Sequence, residues 1–271
     1  MSCGKASDAR VERPARRRPT APPPIDVTWQ IVIVALGAAL AGFVQGLSGF
    51  AFGLVAMCVW AWTLEPVLAG PLIVFGSLIG QLMASGSMLK DMDMKRALPF
   101  VVGGLAGVPL GVALLRYIDP RMFKTGVGLL LLVWCPCMLL ARNLPRIGFG
   151  GPWADACAGW LGGVMGGLGG LTGPAPILWT TLRGWERHTQ RGVFQVFNLT
   201  MHSVTMTVYL ASGTVPKAAV PLFAAMLPAM LIPTYAGIKL YHRISDLTFQ
   251  RVVLSVLTAA GAILIVTSQF R

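Results

Sequence analysis

Apolar stretches of about twenty residues dominate this sequence, and nearly all charged residues lie in short clusters between them. A helix of this length crosses a hydrocarbon core of roughly 30 Å. Only 12% of the residues are charged, against about 25% in soluble domains. We therefore predict an all-α polytopic membrane protein with about eight apolar segments. These run approximately over 27–63, 66–88, 97–115, 123–141, 154–182, 192–210, 215–238 and 247–268.

The net charge of +12 raises the question of nucleic-acid binding. Residues 1–26 contain six Lys and Arg residues against three acids, together with five prolines. This composition predicts a disordered basic N-terminal tail attracted to anionic lipid, with no nucleic-acid partner. Residues 27–271 are predicted to form a single transmembrane transporter domain, because the loops are too short to hold a soluble domain.

An internal repeat relates the two longest stretches at an offset of 117 residues. We predict two homologous halves, repeat 1 over about 29–141 and repeat 2 over about 154–268, with the first segment of each half broken or re-entrant. The matching positions are Ala41, Gly42, Gly46, Gly49, Gly53 and Leu54 in the first half, and Ala158, Gly159, Gly163, Gly166, Gly170 and Leu171 in the second.

The glycine clusters predict helix breaks at a binding site. At a helix break inside a membrane, main-chain N–H and C=O groups lose their helical hydrogen-bond partners. Such groups are tolerated only where protein buries them or where they line a water-filled cavity. Half-helices would direct N–H groups and the positive ends of their dipoles at a bound anion. The candidate substrate-binding residues are Gln45, Ser48, Gly49, Gly166, Gly169, Gly170, Thr172, Gly173, Asn198 and His202. For Gly42, Gly46, Gly159 and Gly163, small-residue spacing favours close helix packing instead.

Asn198 and His202 belong to the most polar stretch, where they share one helical face with Gln195. This face either meets the glycine breaks or makes ordinary interhelical hydrogen bonds, and both interpretations stay open. His202 is the one side chain within a stretch that titrates near neutral pH, so it is the candidate for coupling transport to a proton. Trp29, Trp60, Trp62, Trp153, Trp179 and Trp185 lie near stretch ends and are predicted to form aromatic belts.

The sequence contains none of the motifs that are typical of metal sites, nucleophilic catalysis or ATP binding. None of the ten acidic residues lies in the interior of an apolar stretch, and the three histidines are far apart. There is no metal-site spacing, nucleophile elbow or ATP-binding loop. We predict a protein that is not an enzyme and has no metal and no cofactor.

The distribution of Lys and Arg leaves the topology open. Eight single crossings favour an internal N-terminus only weakly. A re-entrant fifth stretch places most basic residues on one side, whereas re-entrant first and fifth stretches divide them equally and make the halves inverted.

At the glycine breaks the chain resembles the sulfite exporter TauE/SafE family, over residues about 29–268. The resemblance rests on AGFVQGLSGFAFG, AGWLGGVMGGLGGLTGP, GGLAGVPLGVALLRYIDPRMFK and GIKLYHRISDLTFQRVVLSVLTAAG. It implies a multi-pass transporter of the bacterial inner membrane that moves sulfite, sulfonates or other sulfur-containing organic acids. The family's first motif is usually richer in glycine; here Phe50, Ala51 and Phe52 replace that run, which favours the second break for substrate contact.

We therefore expect a permease for a small anion, working by alternating access around the paired breaks. The expected partners are this anion, the lipid bilayer and a coupling proton or cation, and a homo-oligomer is compatible with the sequence. The alternative is a membrane assembly or scaffold protein whose glycines serve only helix packing.

Overall fold

The protein is entirely helical in the part of the chain that the structure describes. This computed structural model describes residues 27–49, 51–88, 93–140, 146–216, 219–241 and 246–269, and these ranges hold ten helices and no strand. The helices are α1 (Val27–Ser48), α2 (Phe52–Trp60), α3 (Pro66–Met88), α4 (Met94–Tyr117), α5 (Pro120–Leu139), α6 (Gly151–Gly169), α7 (Pro174–Leu182), α8 (Arg187–Ala211), α9 (Val220–Tyr241) and α10 (Asp246–Gln269).

Five of these helices are long and apolar enough to cross a membrane, namely α1, α3, α4, α5 and α9. Large apolar side chains remain exposed along them, as expected for surfaces that face lipid. These observations confirm the prediction of an all-α, multi-pass membrane protein. The predicted tail, residues 1–26, lies outside the described residues.

Each of the two long glycine-rich stretches forms a helical hairpin. In the N-terminal hairpin, α2 runs back along α1, so that Trp60 Nε1 donates a hydrogen bond to the carbonyl oxygen of Ile33 at 3.3 Å. In the C-terminal hairpin, α7 runs back along α6, and Trp179 Nε1 donates to Asp155 Oδ1 at 2.7 Å. The belt prediction is wrong for Trp60, which has no exposed surface because its ring packs against Gly37 and Phe52.

The two hairpins run in opposite directions. Gln45 lies beside Ser77 and Gly49 beside Gln81, so α1 and α3 are parallel. Helix α3 is antiparallel to α8, since Ser85 contacts Gln195 near one end and Gly70 lies against Tyr209 near the other. Helix α8 in turn runs parallel to α4 and α6. The long arms of the two hairpins, α1 and α6, are therefore antiparallel and point towards each other, and α2 and α7 are the short arms.

Each hairpin packs against a helix from the other part of the chain. A methyl group on Gly46 of α1 would overlap the carbonyl oxygen of Thr234 in α9, and one on Gly163 of α6 would overlap that of Gly104 in α4. Methyl groups on Gly42 and Gly159 would likewise collide with main-chain atoms of these partner helices. The packing role predicted for these four glycines is confirmed.

Candidate functional site

The tips of the two hairpins meet inside the protein. A methyl group added to Gly53, in the first turn of α2, would lie 2.8 Å from the carbonyl oxygen of Gly170 and 3.2 Å from Ile73. A narrow cleft opens where the tips touch. It is lined by Gly53, Leu54, Gly170, Leu171, Thr172, Gly173 and Pro174.

Gln45 and Ser48 stabilise the break between α1 and α2. Gln45 Oε1 accepts a hydrogen bond from the Phe52 N–H at 2.9 Å, and its Nε2 donates to the carbonyl oxygen of Ser77 at 3.1 Å. Ser48 Oγ accepts from the Ala51 N–H at 3.2 Å. These side chains take the place of helical main-chain partners, which is the requirement for a break buried in a membrane protein.

Gly49 supplies the bend itself. Its φ of +84° lies in the left-handed region, which favours glycine. Its carbonyl oxygen accepts a hydrogen bond from Gln81 Nε2 at 2.8 Å. The three predicted residues of this break therefore build the tip and attach it to α3.

The break between α6 and α7 begins with a left-handed glycine cap. Gly170 has φ +72°, and its N–H donates to the carbonyl oxygen of Gly166 at 2.7 Å, while the Leu171 N–H donates to Met165 at 3.3 Å. This pattern ends a helix at glycine. Trp134 Nε1 of α5 donates to the carbonyl oxygen of Pro174 at 2.8 Å and so fixes the start of α7.

Three of the predicted residues form one buried polar cluster, which we call the 172–198–202 cluster. Thr172 Oγ1 donates to Asn198 Oδ1 at 2.8 Å and lies 3.4 Å from His202 Nε2. Each of the three residues is 2% exposed. Nδ1 of His202 is buried and has no hydrogen-bond partner among the described residues. The cluster therefore contains one nitrogen whose hydrogen-bonding capacity no described residue uses.

A line of polar side chains connects this cluster with the first tip. Gln195, one turn before Asn198, donates through Nε2 to the carbonyl oxygen of Gln81 at 3.0 Å and to Ser85 Oγ at 2.9 Å. Gln81 Oε1 is buried without a hydrogen-bond partner in the described part of the chain. We did not predict Gln81 or Gln195 as site residues; the available signal was the presence of amides within apolar stretches.

Gly166, Gly169 and Gly173 support the second tip by their small size and position. A methyl group on Gly166 would lie 2.6 Å from Thr172 Cγ2, and one on Gly169 would lie 3.1 Å from Met57 Cε. Gly173 precedes α7 and accepts the Ile177 N–H at 3.0 Å through its carbonyl oxygen. The structure thus places Gly166 and Gly173 next to Thr172 and Gly169 against Met57, while Gln45, Ser48 and Gly49 form the other tip.

The short arms direct their N-terminal ends at the meeting point. Gly53 and Leu54 are first-turn residues of α2, whose N–H groups have no partner within that helix. In α7 the first turn contains Pro174 and Pro176, which lack an N–H. Main-chain donors are therefore more abundant at the first tip than at the second.

The comparison with known proteins gives a family for this arrangement. The model of the sulfite exporter TauE/SafE family matches residues 34–264, which include most of the N-terminal hairpin, the whole C-terminal hairpin and the 172–198–202 cluster. The chain belongs to this family. TauE/SafE proteins are transporters rather than enzymes, and membership indicates a membrane exporter of sulfite or a related anion. No curated protein and no solved structure matches the chain significantly.

This TauE/SafE chain also has a buried ion pair at the open end of the C-terminal hairpin. Arg183 Nη1 donates to both carboxylate oxygens of Asp155, at 2.8 and 3.0 Å. Trp179 donates to the same carboxylate, and the Arg183 guanidinium stacks 5.4 Å from the Trp185 ring centre. Asp155 lies near the start of α6 and is buried, and Arg183 supplies its counter-charge from the end of α7.

Proposed function

We propose that this protein carries a small sulfur oxyanion or sulfonate across the membrane by alternating access around the meeting point of the hairpin tips. The observation that carries the proposal is the contact between two oppositely directed hairpins beside the buried 172–198–202 cluster. Inverted broken helices that meet in mid-membrane are a common basis for such transport.

We further propose that both hairpins are re-entrant and that the two halves are inverted repeats. Helices α2 and α7 have nine residues each; at 1.5 Å per residue each spans only about 13 Å, less than half of a hydrocarbon core. Each hairpin would then enter and leave on one side, and α3, α4, α5, α8, α9 and α10 would cross. The opposite directions of α1 and α6 support this topology.

Within the site, Thr172, Asn198 and His202 are the proposed side-chain ligands, and Gly170 and Gly173 let the anion approach the main chain. Gln45, Ser48 and Gly49 are proposed to position the opposite tip. These neutral groups can donate hydrogen bonds to oxygen atoms of an oxyanion. The bacterial inner membrane is the proposed location, and the exposed apolar helices would face lipid or a second copy.

The driving force is proposed to be a gradient, since the sequence has no ATP-binding motif. Two groups could carry a coupled proton at this site: the His202 imidazole and the substrate itself. Replacing His202 by glutamine separates them. Loss of the pH dependence of transport would assign the proton to His202, whereas its retention would assign it to the substrate.

The test compares two threonine variants in reconstituted vesicles. Thr172→Val removes the hydroxyl that contacts Asn198 and His202. The matched control Thr200→Val removes a hydroxyl that, among the described residues, donates only to the carbonyl oxygen of Val196 in its own helix, at 2.8 Å. We expect the initial rate of sulfite or methanesulfonate uptake to fall at least tenfold in Thr172→Val, corresponding to about 1.4 kcal/mol of lost stabilisation. Equal rates in the two variants would remove the 172–198–202 cluster from the site.

A scaffold protein is the second candidate, favoured by the close glycine contacts of α1 with α9 and of α4 with α6. Gly169→Ala discriminates between the two functions, because the atoms nearest to its methyl group would be the ends of the Met57 and Phe123 side chains, at 3.1 and 3.2 Å. A transporter should lose anion flux while inserting normally. Gly170→Ala is less informative, because its left-handed φ and its contact with Ile73 predict strain in either case.

A further inference from the structure

The apolar stretches that form α1 to α8 have no Lys or Arg in their interior. No Lys or Arg occurs within residues 27–89, 97–115, 125–141, 154–182 or 192–216. On α8, the arginine nearest to Asn198 in the sequence is Arg191. It lies seven positions earlier, about 10 Å along the helix axis. An anion at the hairpin tips would therefore meet only neutral hydrogen-bond donors and helix dipoles.

The dipoles at the tips can balance about one negative charge. A helix N-terminus acts as roughly +0.5 of an elementary charge, and two of them, from α2 and α7, face the cleft. The C-terminal ends of α1 and α6 lie at the same tips with the opposite sign. The total positive potential at the cleft is therefore at most that of about one charge.

The charged groups on the surrounding helices do not add to this potential. His202 is buried, and none of its hydrogen-bond contacts in the described chain is with an acid, so before an anion binds a protonated imidazole would lack a counter-ion. With sulfite bound, protonated His202 beside the dianion differs from neutral His202 beside hydrogen sulfite only in the position of one proton. Asp155 of α6 is paired with Arg183, and Arg116 at the end of α4 donates to Ser212 and Thr214. The other titratable groups on α3, α4 and α8 or next to them lie near helix ends and include Glu65, Asp93, Lys95, Arg96, Tyr117, Glu186, Arg187, His188, Arg191 and Tyr209.

We infer that the site accepts singly charged anions and excludes dianions, so that sulfite is carried as hydrogen sulfite. This inference rests on the proposed function. Burying a second negative charge without a counter-charge costs several kcal/mol per ion, which neutral donors do not recover. A sulfonate carries a single charge at every physiological pH and fits the same requirement.

The consequence is that the coupled proton travels on the substrate. Each transported hydrogen sulfite moves one proton together with one sulfite dianion, and the proton dissociates on the far side if the pH there is higher. His202 then remains a neutral hydrogen-bonding residue throughout the cycle, and His202→Gln should keep the pH dependence of sulfite transport.

The test uses the wild-type protein in vesicles with the same pH on both sides, and subtracts the flux into protein-free vesicles at each pH. The probes are sulfite and methanesulfonate below saturation, with sulfate as a competitor. Sulfite uptake at fixed total concentration should fall about tenfold for each pH unit once the dianion predominates. Methanesulfonate uptake should change little over the same range. Sulfate should compete at least about a hundredfold more weakly than methanesulfonate.

Three results would overturn the inference: sulfite uptake that stays constant or rises with pH, competition by sulfate equal to that by methanesulfonate, or loss of the pH dependence of sulfite uptake in His202→Gln. Each of them would leave the proposed function standing. If neither sulfite nor methanesulfonate uptake exceeds that of protein-free vesicles, the proposed function itself fails.

Discussion

The ion pair between Asp155 and Arg183 predicts a measurable stabilisation of the C-terminal hairpin. The two side chains are 9% and 23% exposed. Breaking a fully buried pair by removing one partner costs about 3–5 kcal/mol. Because Arg183 keeps some contact with solvent and stacks on Trp185, we expect about 2–3 kcal/mol for Asp155→Asn. Arg183→Gln should cost about 3 kcal/mol, since it leaves a more deeply buried carboxylate unpaired.

The chain offers a matched control in the exposed pair of Asp93 and Arg96. Their side chains are 36% and 57% exposed, and Arg96 Nε lies 3.4 Å from Asp93 Oδ2. An exposed pair is worth at most about 1 kcal/mol, so Arg96→Gln should change the free energy of unfolding by less than this amount. Both replacements remove one guanidinium near Trp185, so loss of stacking is similar in the two.

The free energy of unfolding can be measured by denaturant titration in mixed micelles for Asp155→Asn, Arg183→Gln, the double variant and Arg96→Gln. The double-mutant cycle isolates the interaction between the two partners, which we expect to be about 2 kcal/mol. A coupling free energy below about 0.5 kcal/mol, or equal effects of Arg183→Gln and Arg96→Gln, would refute the conclusion that this buried ion pair stabilises the C-terminal hairpin.

Three further predictions concern the tips and the helix contacts. Gly163→Ala should lower the free energy of unfolding by about 1–3 kcal/mol because its methyl group collides with the Gly104 carbonyl. The control Gly126→Ala lies in open space on α5 and should raise the free energy of unfolding by about 0.5–1 kcal/mol. The same denaturant titration tests both substitutions. Trp134→Phe removes the donor to Pro174 and should accelerate hydrogen exchange at the start of α7, with unchanged exchange as the contrary result. Gln81→Leu leaves the Gly49 carbonyl without its donor and should cost about 1–3 kcal/mol; a change within error would show that water replaces the amide.

The glycine spacing predicted a large part of this architecture because close helix contacts require small residues at fixed intervals. Gly46 and Gly163 illustrate this: the sequence alone assigns both to packing, and both lie against main-chain oxygens of a neighbouring helix. The direction of the short arms was not predictable in the same way. It depends on contacts such as that between Trp60 and Ile33, which are 27 residues apart and have no local signature.

The polar side chains show a second limit of sequence-based prediction. Thr172, Asn198 and His202 were proposed separately from two segments, and their hydrogen bonds connect residues that are 26 and 30 positions apart. Gln81 has the same polarity but was not selected, because a single amide in an apolar helix is as typical of helix packing as of a site. Asp155 lies so close to the end of its stretch that only the folded hairpin reveals its burial.

The exchange of partners between hairpins and helices has a consequence for how this chain can be divided. Helix α1, from the first half, packs against α9 of the second half, and α6, from the second half, packs against α4 of the first. A fragment cut after α5 would therefore leave one glycine-lined groove vacant on α1 and another on α4, both at membrane depth. The two fragments could become stable only by finding each other, so a split pair expressed together should reassemble, and either piece alone should be degraded.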